Sequence, residues 1–99
     1  MANARKFLKD LVGDLTFGEL LRSERKCEEL TQEQLAKKIG VTKQAISNFE
    51  SSKDFPKKEI LKKIARFFKM DEETYVRYIV QDMLNKKGIT GYTVVKKRA

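Results

Sequence analysis

The chain has 99 residues, enough for one domain, and carries 22 Lys plus Arg against 14 Asp plus Glu, a formal net charge of +8. That excess attracts polyanions, with nucleic acid ahead of an anionic membrane surface. A single cysteine and no histidine argue against a disulfide, His-based nucleophile or acid–base chemistry, and a structural zinc site.

Residues 4–12 place Phe7, Leu8, Leu11 and Val12 on one helical face, with Gly13 as a stop. Thr16 opens the next helix. Glu19 completes a capping box, Leu15 and Leu20 form a hydrophobic staple, and the helix runs to about Cys27. Thr31 repeats the device with Gln34 and the staple pair Leu30 and Leu35, and that helix stops at Gly40. Thr42 caps a third helix running to about Glu50, with Val41 and Ile46 as staple. Pro56 suits the first turn of a fourth helix, whose inner face is Ile60, Leu61, Ile64, Ala65 and Phe68. Asp71 caps a fifth, with Glu72 and Glu73 at its positive end, Lys86 and Lys87 at its negative end, and Gly88 after it. Tyr75, Tyr78 and Met83 on that helix fit a core or a subunit contact. Residues 89–95 are β-branched and aromatic and read as a strand or extended tail.

Within this series, residues 32–51 satisfy the steric demands of a helix-turn-helix. The two helices must touch at a small residue, Ala36. The turn needs a residue tolerant of positive φ, Gly40. The second helix needs a branched apolar residue inside, Ile46, and Leu35, Ile39, Val41 and Phe49 fill the other buried positions. On a helical wheel Ala45, Ile46 and Phe49 face inward. Lys43, Gln44 and Ser47 fall opposite, with Asn48 at the edge. These are side chains of the kinds that read base edges: Gln and Asn pair with adenine, and Lys with guanine acceptors. The expected function is therefore double-stranded DNA binding, with Lys43, Gln44, Ser47 and Asn48 reading bases.

The run from Thr31 through Gln32, Gln34, Leu35, Ala36, Ile39, Gly40, Val41, Thr42, Gln44, Ala45, Ile46 and Phe49 to Glu50 resembles the phage repressor/Cro-type (XRE) helix-turn-helix family. The resemblance extends from Leu15 to about Met70. It implies a five-helix domain that binds operator DNA as a two-fold dimer, with its third helix in the major groove. By that resemblance Gln32 contacts a phosphate, Lys43 and Gln44 meet bases, and Arg25 pairs with Glu50. Thr42, Lys53, Lys57 and Lys58 join Gln32 as candidate phosphate contacts. Two positions depart from the family pattern. Ser51 and Ser52 stand where a glycine usually follows the recognition helix, so a left-handed cap there carries strain. Glu24 stands where an apolar residue is common, which predicts a shifted or wetter packing of its helix.

The expected fold is all-α, five-helix and repressor-like, with an extra N-terminal helix in 1–14, a helix-turn-helix DNA-binding domain over 15–70, and a C-terminal helix with a short strand or extended tail in 71–99. Val76, Ile79, Val80, Met83 and Leu84 form a broader apolar band than one small core covers. A lone strand after them leaves backbone groups unpaired. Residues 71–95 are therefore expected to build a homodimer, leaving Lys96, Lys97 and Arg98 as a basic tail. The expected activity is a transcriptional regulator, a repressor of a palindromic operator. The alternative is an antitoxin whose tail binds a toxin protein by strand addition. No nucleophile with a base, phosphate loop or metal cluster is legible, so neither enzyme activity nor a cofactor is expected. With no secretion signal, no disulfide pair and no apolar run of about 18 residues, a cytoplasmic protein with no membrane partner is expected.

Overall fold

Capping chemistry sets where the helices begin. The computed structural model describes residues 15–89 and Tyr92, and among these residues it holds five helices and no strand. They are α1 (Phe17–Cys27), α2 (Gln32–Ile39), α3 (Lys43–Glu50), α4 (Lys58–Phe68) and α5 (Glu72–Lys86). At α1 the Thr16 hydroxyl accepts from the Glu19 N–H at 3.1 Å, and the Thr16 N–H donates to the Glu19 carboxylate at 2.9 Å. Thr31 and Gln34 repeat both bonds at α2 with the same distances. The Thr42 hydroxyl accepts from the Ala45 N–H at 3.0 Å to open α3. Each reciprocal box satisfies two backbone donors that a helix start otherwise leaves orphaned.

The last two helices begin differently from the expectation. Pro56 is expected in the first turn of α4, but Lys57 stays extended at φ −72° and ψ 168°, the geometry of a cap, and the helix starts only at Lys58. The chain is held out there because Phe55 tucks its ring against Phe17, centroids 6.2 Å apart. Asp71 does occupy the cap of α5, but its side chain makes no capping bond; its carbonyl accepts from the Thr74 N–H at 3.1 Å. Its charge still lies at the helix end that favours an anion.

The core collects one face of every helix. Phe17 and Leu21 of α1, Leu35 and Ile39 of α2, Ile46 of α3, Ile64 and Phe68 of α4, and Tyr75 of α5 are all buried. Each such apolar side chain contributes about 1.5–3 kcal/mol when fully withdrawn from water. Phe17 and Tyr75 meet edge to face with centroids 5.9 Å apart, which joins α5 to α1.

Glu24 corrects an expectation. It is fully buried rather than wetted, and its carboxylate accepts a 2.5 Å bond from the Tyr75 hydroxyl. The polar residue is tolerated at this apolar position because α5 delivers a donor to it. Val76, Val80 and Met83 of α5 remain exposed. The helix expected over 4–12 lies outside the described residues. Of the strand or tail expected over 89–95, only Ile89 and Tyr92 are described, and neither is in a strand.

Candidate nucleic-acid interface

The geometry of the α2–α3 turn follows from three residues. Gly40 takes the left-handed conformation at φ 84° and ψ 35°, and its N–H closes α2 onto the Ala36 carbonyl at 2.8 Å. A side chain there would be strained whatever the space around it. Ala36 and Ile46 are both buried where the two helices meet. Gly18 on α1 supplies a fourth constraint that the sequence reading missed: a Cβ there would lie 2.2 Å from the Glu50 carbonyl oxygen. The start of α1 therefore touches the end of α3 backbone to backbone.

The end of α3 is also tied by charge. Arg25 Nε donates to Glu50 Oε2 at 2.6 Å, and its Nη2 donates to Glu50 Oε1 at 3.1 Å. Its Nη1 donates to the Leu30 carbonyl at 2.7 Å. The two side chains are only 11% and 5% exposed, so this fork-to-fork pair is largely out of water. Gln32 joins it, donating from Nε2 to Glu50 Oε1 at 3.1 Å. A residue expected to meet a phosphate thus also braces the first residue of α2 against the last residue of α3.

The outer face of α3 carries the remaining candidates. Thr42, Lys43 and Gln44 are exposed, while Ser47 and Asn48 are half-buried. Gln44 Nε2 donates to Asn48 Oδ1 at 3.0 Å, one turn along. Lys53, Lys57 and Lys58 are exposed on the segment leading from α3 into α4. That segment is fastened at the end of α3. The Asn48 carbonyl accepts from the N–H groups of Lys53 and Asp54 at 2.9 and 3.3 Å. Ser52 takes the left-handed position at φ 59° that glycine usually fills, a conformation costing a non-glycine residue roughly 1–2 kcal/mol.

A family model described as Helix-turn-helix matches residues 21–74. This chain belongs to the helix-turn-helix family. Within it, the chain is 46% identical over 54 residues to the HTH-type transcriptional activator BcrR of Enterococcus faecalis, a stretch covering 54% of this chain and 26% of that relative. It is 46% identical over 48 residues to the uncharacterized HTH-type transcriptional regulator MJ0272 of Methanocaldococcus jannaschii, covering 48% of this chain and 73% of that one. Among solved structures, the P22 c2 repressor in complex with synthetic operator 9T in the presence of Tl+ matches with a TM-score of 0.59 at 30% identity. That likeness covers 62% of this chain and 92% of the repressor chain.

This helix-turn-helix chain departs from a bare motif in how α5 supports the segment after α3. Asp82 of α5, 5% exposed, accepts a 2.8 Å bond from the N–H of Phe17, the first residue of α1. Burial pushes the Asp82 carboxyl above the ordinary carboxylate range, and the Phe17 N–H and nearby Lys86 pull the other way. Lys86 donates to the Ser52 carbonyl and lies 5.5 Å from the centre of the Phe55 ring. No sequence signal singled out Asp82, because an acid near the end of an amphipathic helix is ordinarily solvated. Among the described residues no three His, Cys, Asp or Glu side chains gather as metal ligands, and no helix is long and apolar enough to cross a membrane.

Proposed function

We propose that this protein is a transcriptional regulator that binds double-stranded DNA sequence-specifically and represses from a palindromic operator. The observation that carries the reading is the contrast between the two sides of α3. Ile46 and Phe49 are buried and Glu50 is clamped by Arg25 and Gln32, while Lys43 and Gln44 stand exposed as donors and acceptors. A rigid helix with a polar outer row is what a major groove admits. Lys43, Gln44, Ser47 and Asn48 read bases, and Gln32, Thr42, Lys53, Lys57 and Lys58 hold phosphates. Repression is supported by the likeness to a repressor in complex with an operator. Two copies on a two-fold site fit the exposed α5 face of Val76, Val80 and Met83, which offers apolar surface to a second subunit.

The test is selection of bound duplexes from a random pool, followed by binding across a salt series. A palindromic consensus is expected. For about 6–8 neutralised phosphates, log affinity falls with log salt at a slope of about −5 to −7. Lys57→Ala with Lys58→Ala should flatten the slope and weaken all sequences alike. Enrichment of no sequence would defeat the reading. Transcription from a template bearing the selected site should fall when the protein is added, and a rise would reverse the sign of regulation.

A further inference from the structure

Two amides on α3 are linked, and they are not equally fixed. Asn48 is half-buried, and its carbonyl is an acceptor for the N–H groups of Lys53 and Asp54 and, at 3.3 Å, for the Ser51 hydroxyl. Its backbone is therefore the anchor on which the chain turns out of α3. Gln44 is exposed and has one more rotatable bond. A free glutamine can present either its oxygen or its amino group to a base, and ordering it costs conformational entropy. The 3.0 Å bond from Gln44 Nε2 to Asn48 Oδ1 holds the amide in one orientation.

The donors and acceptors left over define what the pair can read. Gln44 retains Oε1 and one N–H, the set that accepts from adenine N6 and donates to adenine N7. Asn48 Oδ1 is turned toward Gln44, and its Nδ2 donors remain, which match the acceptors of a keto base, guanine O6 and N7 or thymine O4. Four residues of helix rise about 6 Å, less than two base-pair steps of about 3.4 Å each. We propose that Asn48 is a positioning residue for Gln44, and that the two amides act as one reader of an adenine with a keto base within two base pairs of it. The inference rests on α3 being the base-reading helix, as proposed above.

The experiment repeats the selection with the full chain and with Asn48→Ala, Asn48→Asp and Gln44→Ala, each checked for unchanged helical content by circular dichroism. The wild-type consensus should contain the adenine and its keto neighbour, and Gln44→Ala identifies which base pair is the adenine. Asn48→Ala should relax both positions, lowering the preference for adenine about tenfold. Asn48→Asp keeps the acceptor for Gln44 but removes the donors. It should restore the adenine and replace the keto preference with cytosine, whose N4 donates to a carboxylate. An adenine preference untouched by Asn48→Ala would overturn the proposal and leave two independent readers. So would Asn48→Asp behaving like Asn48→Ala. A wild-type protein that selects no sequence would instead remove base reading by α3 altogether, and this inference with it.

Discussion

Glu50 at the end of α3 and Asp82 near the end of α5 are both carboxylates with about one-twentieth of their surface in water, yet the two regions hold them differently. Glu50 receives the Arg25 fork and the Gln32 amide. Asp82 receives the backbone N–H of Phe17 and a bond from the Ser52 side chain, with Lys86 contributing at longer range. The first arrangement matches a buried charge with a buried charge and ties the end of α3 to α1. The second uses an acid to satisfy the start of α1, where the helix dipole favours negative charge, and there burial outweighs the bonds that favour the charged form. The helix-turn-helix is thus locked by ion pairing and close backbone approach, whereas α5 is attached through hydrogen bonds and a ring contact.

The comparison breaks most visibly at the ion pair. Arg25→Ala or Glu50→Ala leaves its partner desolvated and should lower unfolding free energy by about 3–5 kcal/mol in urea denaturation. The double mutant should cost less than the sum of the singles. Strict additivity would mean that the two groups do not stabilise one another. A smaller effect is expected at Gly18→Ala. Helix propensity alone favours the alanine by about 1 kcal/mol, but its Cβ meets the Glu50 carbonyl. Overpacking of this kind costs about 1–3 kcal/mol, so a net loss in thermal stability is expected. A net gain would show that α1 and α3 can separate without penalty.

The smallest effect sharpens the other side of the comparison. Because the Asp82 carboxyl is raised above its ordinary value, the folded state binds its proton more tightly than the unfolded chain does. This group's contribution to stability therefore falls as pH rises from the ordinary aspartate range through the raised value. Asp82→Asn keeps an oxygen for the Phe17 N–H and removes that titration. Urea unfolding at several pH values from the ordinary aspartate range upward should show the variant gaining on the wild type as pH rises. A variant that loses ground with rising pH would mean that the ionised carboxylate is the favoured form in the fold.

Much of the architecture is local and so was legible in the chain. Thr16 with Glu19 and Thr31 with Gln34 lie three residues apart, and a capping box needs nothing from elsewhere in the molecule. Gly40 marks its turn because few other residues adopt its backbone conformation comfortably. The inward face of α3 is set by helical period alone, which separates Ile46 and Phe49 from Lys43 and Gln44. The late start of α4 was not legible, because what delays it is the Phe55 ring packing on Phe17, far earlier in the chain.

The chain by itself therefore determined the succession of helices, the turn between α2 and α3, and which side of α3 faces out, since each follows from the stereochemistry of neighbours within about one helical turn. Tertiary structure decided what the buried polar groups do. Phe17 and Asp82 are separated by 65 positions, and Tyr75 and Glu24 by 51. Nothing in the local pattern of any of these residues announces its partner. The same holds for Gly18, whose missing side chain has meaning only once α3 lies against it. Periodicity records which face a helix buries. The pairing of donors, acceptors and bare backbone across that face depends on how the helices cross, and that is fixed only when the whole core packs.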